Sequence, residues 1–225
     1  MKFYHQCIME KKFHGNFTQQ DGLPEIAIER ATRVLRSGRL HRYNLGKDEI
    51  GEVGSLELEF AKFINVKYCL AVASGGYTLS TALRALGVGH GDNVLTNAFS
   101  LAPVPGAIAS VGAKPIFVGV TENLVIDLDD LEMKSQNAKV LMLSHMRGHI
   151  CDMDRLLRIC ASNNIQLIED CAHTMGAKWK DRWSGTDGVI GCYSAQTYKH
   201  INSGEGGLLV TNNPDIMAKA TMLSG

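Results

Sequence analysis

A chain of 225 residues, 45% hydrophobic and 20% charged, has the composition of an ordinary soluble globular protein and enough length to bury a sizeable core. Its 23 basic and 23 acidic side chains cancel, so no whole-chain field draws it to nucleic acid or to an anionic membrane surface. No apolar run is long enough to span a bilayer, and the polar N-terminus (Lys11, Lys12, His14, Gln19, Gln20) lacks the apolar core of a signal sequence.

Residues 1–20 read as an arm with little periodicity. Leu23-Pro24 opens a helix that runs to about Leu35 and is stopped by Ser37-Gly38. A second helix is expected over 55–64, with Leu56, Leu58, Phe60 and Phe63 as its apolar positions. An alternating rhythm then sets in. Apolar runs suited to buried strands lie at 69–73, 93–95, 115–118, 140–143 and 166–168, and helical patterns lie between them at 78–86, 102–111, 128–133 and 153–161. Strands this continuously apolar, alternating with helices, predict an α/β fold with a mostly parallel sheet covered on both faces. Further strands are expected at 188–193 and 207–211, and a last helix from about Pro214. The organisation expected is an N-terminal arm and helix over 1–50 and one large domain over 51–225.

The six cysteines (Cys7, Cys69, Cys151, Cys160, Cys171, Cys192) are scattered, with neither a CxxC pair nor a metal-ligand spacing. Without a signal peptide they fit a reducing, cytoplasmic setting. Cys69, inside an apolar run, reads as a packing residue. His145 and His149 stand four apart, but no third ligand is indicated and no metal is expected.

Three stretches carry chemistry. Lys199 lies in Tyr193-Ser194-Ala195-Gln196-Thr197-Tyr198-Lys199-His200, followed by Ser203-Gly204-Glu205-Gly206-Gly207. Asp170 follows a strand pattern in Ile168-Glu169-Asp170-Cys171-Ala172-His173, and the carboxyl ends of parallel strands are where such sheets bind ligands. A lysine able to form a Schiff base, with an acid able to pair with a pyridinium nitrogen, is the minimum equipment for pyridoxal phosphate chemistry. Ser74-Gly75-Gly76 stands between a strand and a helix, where backbone amides make an anion site. Ser194 offers a further hydroxyl to a phosphate, and His173 is placed to meet a cofactor ring. The run His145-Met146-Arg147-Gly148-His149 follows another strand end and either helps line the site or is a polar loop. The glycines at 204, 206 and 207 permit close backbone approach, or serve only as a turn before a strand. No GxGxxG follows the first strand, which argues against a dinucleotide-binding dehydrogenase.

Taken together, the ordered blocks at 72–75, 86–92, Gly112-Ala113-Lys114-Pro115, 168–173 and 193–207 resemble the DegT/DnrJ/StrS family of sugar aminotransferases, within the fold-type I pyridoxal phosphate enzymes. The resemblance runs from about Gly51 to Gly225. It implies Lys199 as the Schiff-base lysine, Asp170 as the pyridinium partner, Ser194 and Ser74-Gly75-Gly76 at the phosphate, and His173 beside the ring. It also implies a keto sugar, nucleotide-linked, as substrate, glutamate or glutamine as amino donor, and a homodimer. Some relatives carry histidine in place of the lysine and catalyse dehydration; Lys199, with His200 beside it, favours transamination.

Two positions depart from the family pattern. Gly76 stands where threonine or serine is usual, and Leu101 stands where an aromatic often stacks on the cofactor, with Phe99 near it. The sequence closes at Gly225 with nothing resembling the family's C-terminal small domain, so a large domain truncated before that part is expected. The rival readings are a non-catalytic pyridoxal phosphate-binding or regulatory module and an inactive fragment of a longer enzyme.

Overall fold

A computed structural model describes residues 15–16, 22–43 and 45–224. Most of the N-terminal arm therefore lies outside the described residues, as does Cys7. Packing divides the chain into two units, Met1–His41 and Arg42–Gly225. The first contains helix α1 (Glu25–Ser37). Gly38 ends it in the left-handed conformation (φ 68°) and returns its N–H to the Leu35 carbonyl, the C-cap that glycine accommodates without steric penalty.

The second unit is a three-layer α/β structure. Its elements are α2 (Glu52–Phe63), β1 (Tyr68–Val72), α3 (Gly75–Ala85), β2 (Asn93–Asn97), α4 (Pro103–Ser110), β3 (Lys114–Val118), α5 (Leu128–Lys134), β4 (Val140–Ser144), α6 (Met153–Ser162), β5 (Gln166–Asp170), β6 (Lys178–Trp179), β7 (Arg182–Trp183), β8 (Ile190–Ser194), β9 (Gly207–Thr211) and α7 (Pro214–Leu223). Seven strands form one sheet in the order β1-β9-β8-β5-β4-β2-β3, and β6 and β7 form a separate hairpin. The pairs from β8 to β3 are parallel, as the apolar runs predict. Strand β9 runs antiparallel to both β8 and β1.

The period of two along each strand divides the core between the faces. In β4, Val140 and Met142 join Leu79, Leu83, Val104 and Ile108 of α3 and α4. Leu141 and Leu143 join Leu131, Leu156 and Ile159 of α5 and α6. A third cluster sets Phe60 of α2 edge-on to Tyr193, with ring centroids 5.0 Å apart. Helix α2 begins three residues before the expected start. It buries Phe60 and Ala61 but leaves Leu56, Leu58 and Phe63 exposed.

Strand β1 is at the sheet edge, where unpaired backbone groups need partners. Glu57 Oε1 accepts the Ala71 N–H at 2.7 Å, Arg42 donates to the Ala71 carbonyl at 3.0 Å, and the two side chains pair at 2.6 Å. An ion pair thus occupies the free edge at that residue.

Candidate active site

The carboxyl ends of β2, β4, β5 and β8 converge, and the turn after β1 closes over them. Asp170 ends β5 and is 9% exposed. Its carboxylate is held at both oxygens: Ser144 Oγ–H donates to Oδ2 at 2.8 Å and Ala172 N–H donates to Oδ1 at 3.1 Å. The His145 N–H holds the Asp170 carbonyl at 3.0 Å. Ser144 is clamped in turn by Asn97 at the end of β2. The Asn97 Oδ1 accepts the Ser144 N–H at 2.9 Å, and its amide donates to the Ser144 carbonyl at 3.1 Å. Three neighbouring parallel strands therefore relay one orientation to the Asp170 carboxylate.

Lys199 follows β8 on a turn closed by its N–H to the Gln196 carbonyl at 2.8 Å. Its Nζ lies 2.8 Å from His173 Nε2. Burial, aided by the Arg147 charge, holds the Lys199 amine below the usual lysine range, with Asp170 acting in the opposite sense. His173 is likewise held below the usual imidazole range, by burial first and the Lys199 charge second.

Ser74 caps α3, its Oγ accepting the Tyr77 N–H at 3.1 Å. Gly75 and Gly76 form the first turn, whose amides precede the intrahelical ladder and favour an anion. Two close approaches shape this cradle. A Cβ on Gly75 would lie 2.6 Å from Ser194 Cβ, and a Cβ on Gly207 would lie 2.3 Å from the Ser74 carbonyl oxygen. Gly207 is registered against both Val72 of β1 and Ser194 of β8. Its role is close backbone approach as well as the start of a strand. Gly76 is different, since a Cβ there meets nothing nearer than 3.9 Å.

Lys199, Asp170, His173, Ser194, Ser74, Gly75 and Gly76 all line one cavity of about 380 Å³. Leu101 lines it too, with Leu79, Pro103, Val104 and Met146 supplying further apolar wall. Of the run after β4, Met146 faces this cavity, whereas His145 turns inward and is 1% exposed.

His145 Nε2 meets Glu169 Oε2 at 3.0 Å. Glu169 also accepts N–H groups from Gly185 at 2.9 Å, Asp187 at 2.9 Å and Gly188 at 2.7 Å. Burial pushes this carboxyl up, but His145 and the backbone donors outweigh it and hold Glu169 below the usual range. His145, Glu169 and Cys171 bring possible ligand atoms within 4.8 Å of one another. Both Glu169 oxygens are already occupied by donors, and burial holds the Cys171 thiol well above its ordinary value, so the cluster is built as a hydrogen-bonded anchor for the turn before β8.

Sequence reading missed Ser144, Asn97 and Glu169. Glu169 stood beside Asp170 in plain view, but a buried acid within a strand has no local signature. Ser144 meets Asp170 only because β4 and β5 pair in that register.

A mostly parallel sheet with lysine and aspartate brought together at its strand ends is the arrangement of the pyridoxal phosphate-dependent aminotransferases. The chain belongs to the DegT/DnrJ/EryC1/StrS aminotransferase family, whose model matches residues 24–225. It is 35% identical over 175 residues to the GDP-perosamine synthase of Escherichia coli O157:H7, covering 77% of this chain and 48% of that protein. It is 30% identical over 200 residues to the spore coat polysaccharide biosynthesis protein SpsC of Bacillus subtilis, covering 88% and 49%. Among solved structures it superimposes on an aminotransferase from Psychrobacter cryohalolentis with a TM-score of 0.84 at 30% identity, covering 92% of this chain and 52% of that one. The chain spans about half the length of the curated relatives it matches. The family and its fold are pyridoxal phosphate-dependent.

Proposed function

We propose that residues 51–225 are the pyridoxal phosphate-binding large domain of an aminotransferase that moves an amino group from glutamate or glutamine onto a nucleotide-linked keto sugar. The observation that carries this reading is the single cavity lined by Lys199, Asp170, His173, Ser194 and the cradle Ser74-Gly75-Gly76. The donor set fits the cofactor. The α3 amides and the Ser194 hydroxyl suit a phosphate, the Asp170 carboxylate suits a protonated ring nitrogen, and the Lys199 amine suits an aldehyde.

When bound, pyridoxal phosphate supplies that aldehyde and an electron-withdrawing ring. The protein's part is positional and acid–base. Asp170, fixed by Ser144 and Ala172, is the anion for the ring nitrogen. Lys199 Nζ is the nucleophile and the group that carries a proton to and from the substrate carbon. Leu79, Leu101 and Val104 supply an apolar wall beside these groups.

The names of the relatives support a sugar of polysaccharide biosynthesis. The five described cysteines are free and fit a reducing, cytoplasmic setting. Among the described residues no helix is long and apolar enough to cross a membrane. A homodimer is the assembly the family resemblance implies.

The decisive experiment is the absorbance spectrum of the protein mixed with pyridoxal phosphate, followed by borohydride reduction and peptide mass mapping. The pyridoxyl mass is expected on Lys199. Its absence there, or normal transamination by Lys199→Ala, overturns the proposal. The second reading, cofactor binding without turnover, is favoured by Leu101 lining the cavity where relatives often place an aromatic. Conversion of bound cofactor to its amine form by glutamate excludes it.

A further inference from the structure

We propose that His173, locked in one tautomer by the backbone of Arg147, is a positioning residue that holds Lys199 as the free amine; this rests on the reading of Lys199 given above. Two contacts define it. The Arg147 N–H donates to His173 Nδ1 at 3.3 Å, and His173 Nε2 lies 2.8 Å from Lys199 Nζ. A neutral imidazole carries one proton. With Nδ1 accepting from Arg147, that proton is on Nε2 and points at Lys199. An ammonium is donor only, so a charged Lys199 would set two donors head to head across 2.8 Å. The contact is satisfied when Nζ is neutral and its lone pair accepts the Nε2–H.

The backbone is arranged for this. Arg147 adopts φ 57°, ψ 19° inside the short turn Met146–Gly148. That is the left-handed region, which an arginine seldom visits. The conformation aims the Arg147 N–H at His173, and Gly148 continues the turn with φ 86°. The charged groups around the pair are of both signs. Asp170 favours charge on Lys199 and His173, Arg147 disfavours it on both, and His200 also stands near His173, so burial tips the balance toward neutrality. Glu205 lines the same cavity. Burial disfavours charge on either member of the pair.

The consequence is a lysine whose amine becomes available as a nucleophile at lower pH than an ordinary lysine's. His173 achieves this through its Nε2–H contact with Lys199 Nζ.

The test needs no cofactor. Protein freed of pyridoxal phosphate is labelled with trace acetic anhydride from neutral to alkaline pH, and each lysine peptide is quantified by mass spectrometry. Lys199 is expected to label with a midpoint below that of the exposed Lys114 in the same sample. His173→Phe, which keeps an aromatic ring and loses the Nε2–H, is expected to raise that midpoint; a rise of one unit cuts labelling at neutral pH about tenfold. His173→Gln, whose amide donates from a similar position, is expected to restore part of the difference. Identical Lys199 profiles in wild type and His173→Phe overturn the proposal. So does a nitrogen chemical shift placing the His173 proton on Nδ1, measured on the wild type alone. A protein that never takes up pyridoxal phosphate but shows the lowered Lys199 midpoint supports this inference and defeats the functional reading.

Discussion

Gly75 and Ser194 meet so closely that a Cβ on Gly75 would lie 2.6 Å from Ser194 Cβ and 3.1 Å from its Cα. The first belongs to the turn after β1 and the second to the end of β8. Only a residue without a side chain lets the helix start and the hydroxyl come this close. Gly75→Ala is expected to force the two apart, destabilising the fold by about 1–3 kcal/mol as overpacking does and weakening pyridoxal phosphate binding. Absorbance titration and thermal melting check this. Wild-type affinity in the variant would show that the close approach does not shape the site.

Gly76 has room that Gly75 lacks. Its nearest neighbours to an added Cβ are Pro103 Cβ at 3.9 Å and Ser74 Oγ at 4.0 Å. Gly76→Ala is expected to stabilise α3 by roughly 0.5–1 kcal/mol by reducing backbone freedom. Gly76→Thr is expected also to tighten cofactor binding, because it adds a hydroxyl at the helix start. Comparing the dissociation constants of the two variants isolates the hydroxyl. Equal values would mean that the missing contact is immaterial.

Ser144→Ala removes the donor to Asp170 Oδ2 and leaves a largely buried carboxylate oxygen one partner short. Loss of such a bond costs on the order of 1–3 kcal/mol. Pyridoxal phosphate affinity is expected to fall with stability, since the carboxylate loses one of its two fixed contacts. Chemical denaturation and cofactor titration on the same sample report both effects. If affinity holds while stability falls, Ser144 serves only the fold.

Glu169 makes stability depend on acid. Its folded pKa lies below its unfolded one, since His145 and backbone donors overcome the burial penalty. The folded state therefore binds this proton less readily than the unfolded chain. The stabilisation is present above the ordinary glutamate pKa and is lost as pH falls through the depressed folded value. Glu169→Gln keeps the shape but cannot ionise, so its urea midpoint should vary less with pH across the acid range. Glu169→Ala leaves three backbone N–H groups and His145 without their acceptor and is expected to cost about 3–5 kcal/mol. A wild-type urea midpoint in Glu169→Ala would rule out the anchoring role.

Much of this molecule is legible along the chain because its signals are local. The run 140–143 becomes β4, buried at every position, and a parallel strand covered on both faces is simply a continuous apolar segment. Asp170, Ser194 and Ser74-Gly75-Gly76 stand at element ends that apolar rhythm locates to within a few residues, and Lys199 lies in the loop that follows β8. The β6–β7 hairpin, with two residues in each strand, is too short to carry a period. The antiparallel course of β9 is also silent, because an apolar run does not state its direction.

The contacts that tune the site belong wholly to the tertiary structure. Ser144 reaches Asp170 through strand register, and Asn97 reaches Ser144 across a neighbouring strand. His173 meets an amide of Arg147 only because that arginine takes a left-handed φ. Residue types and local spacing specify which groups can do chemistry. Register, burial and backbone handedness specify which of them meet, because those are set by packing between segments far apart in the chain.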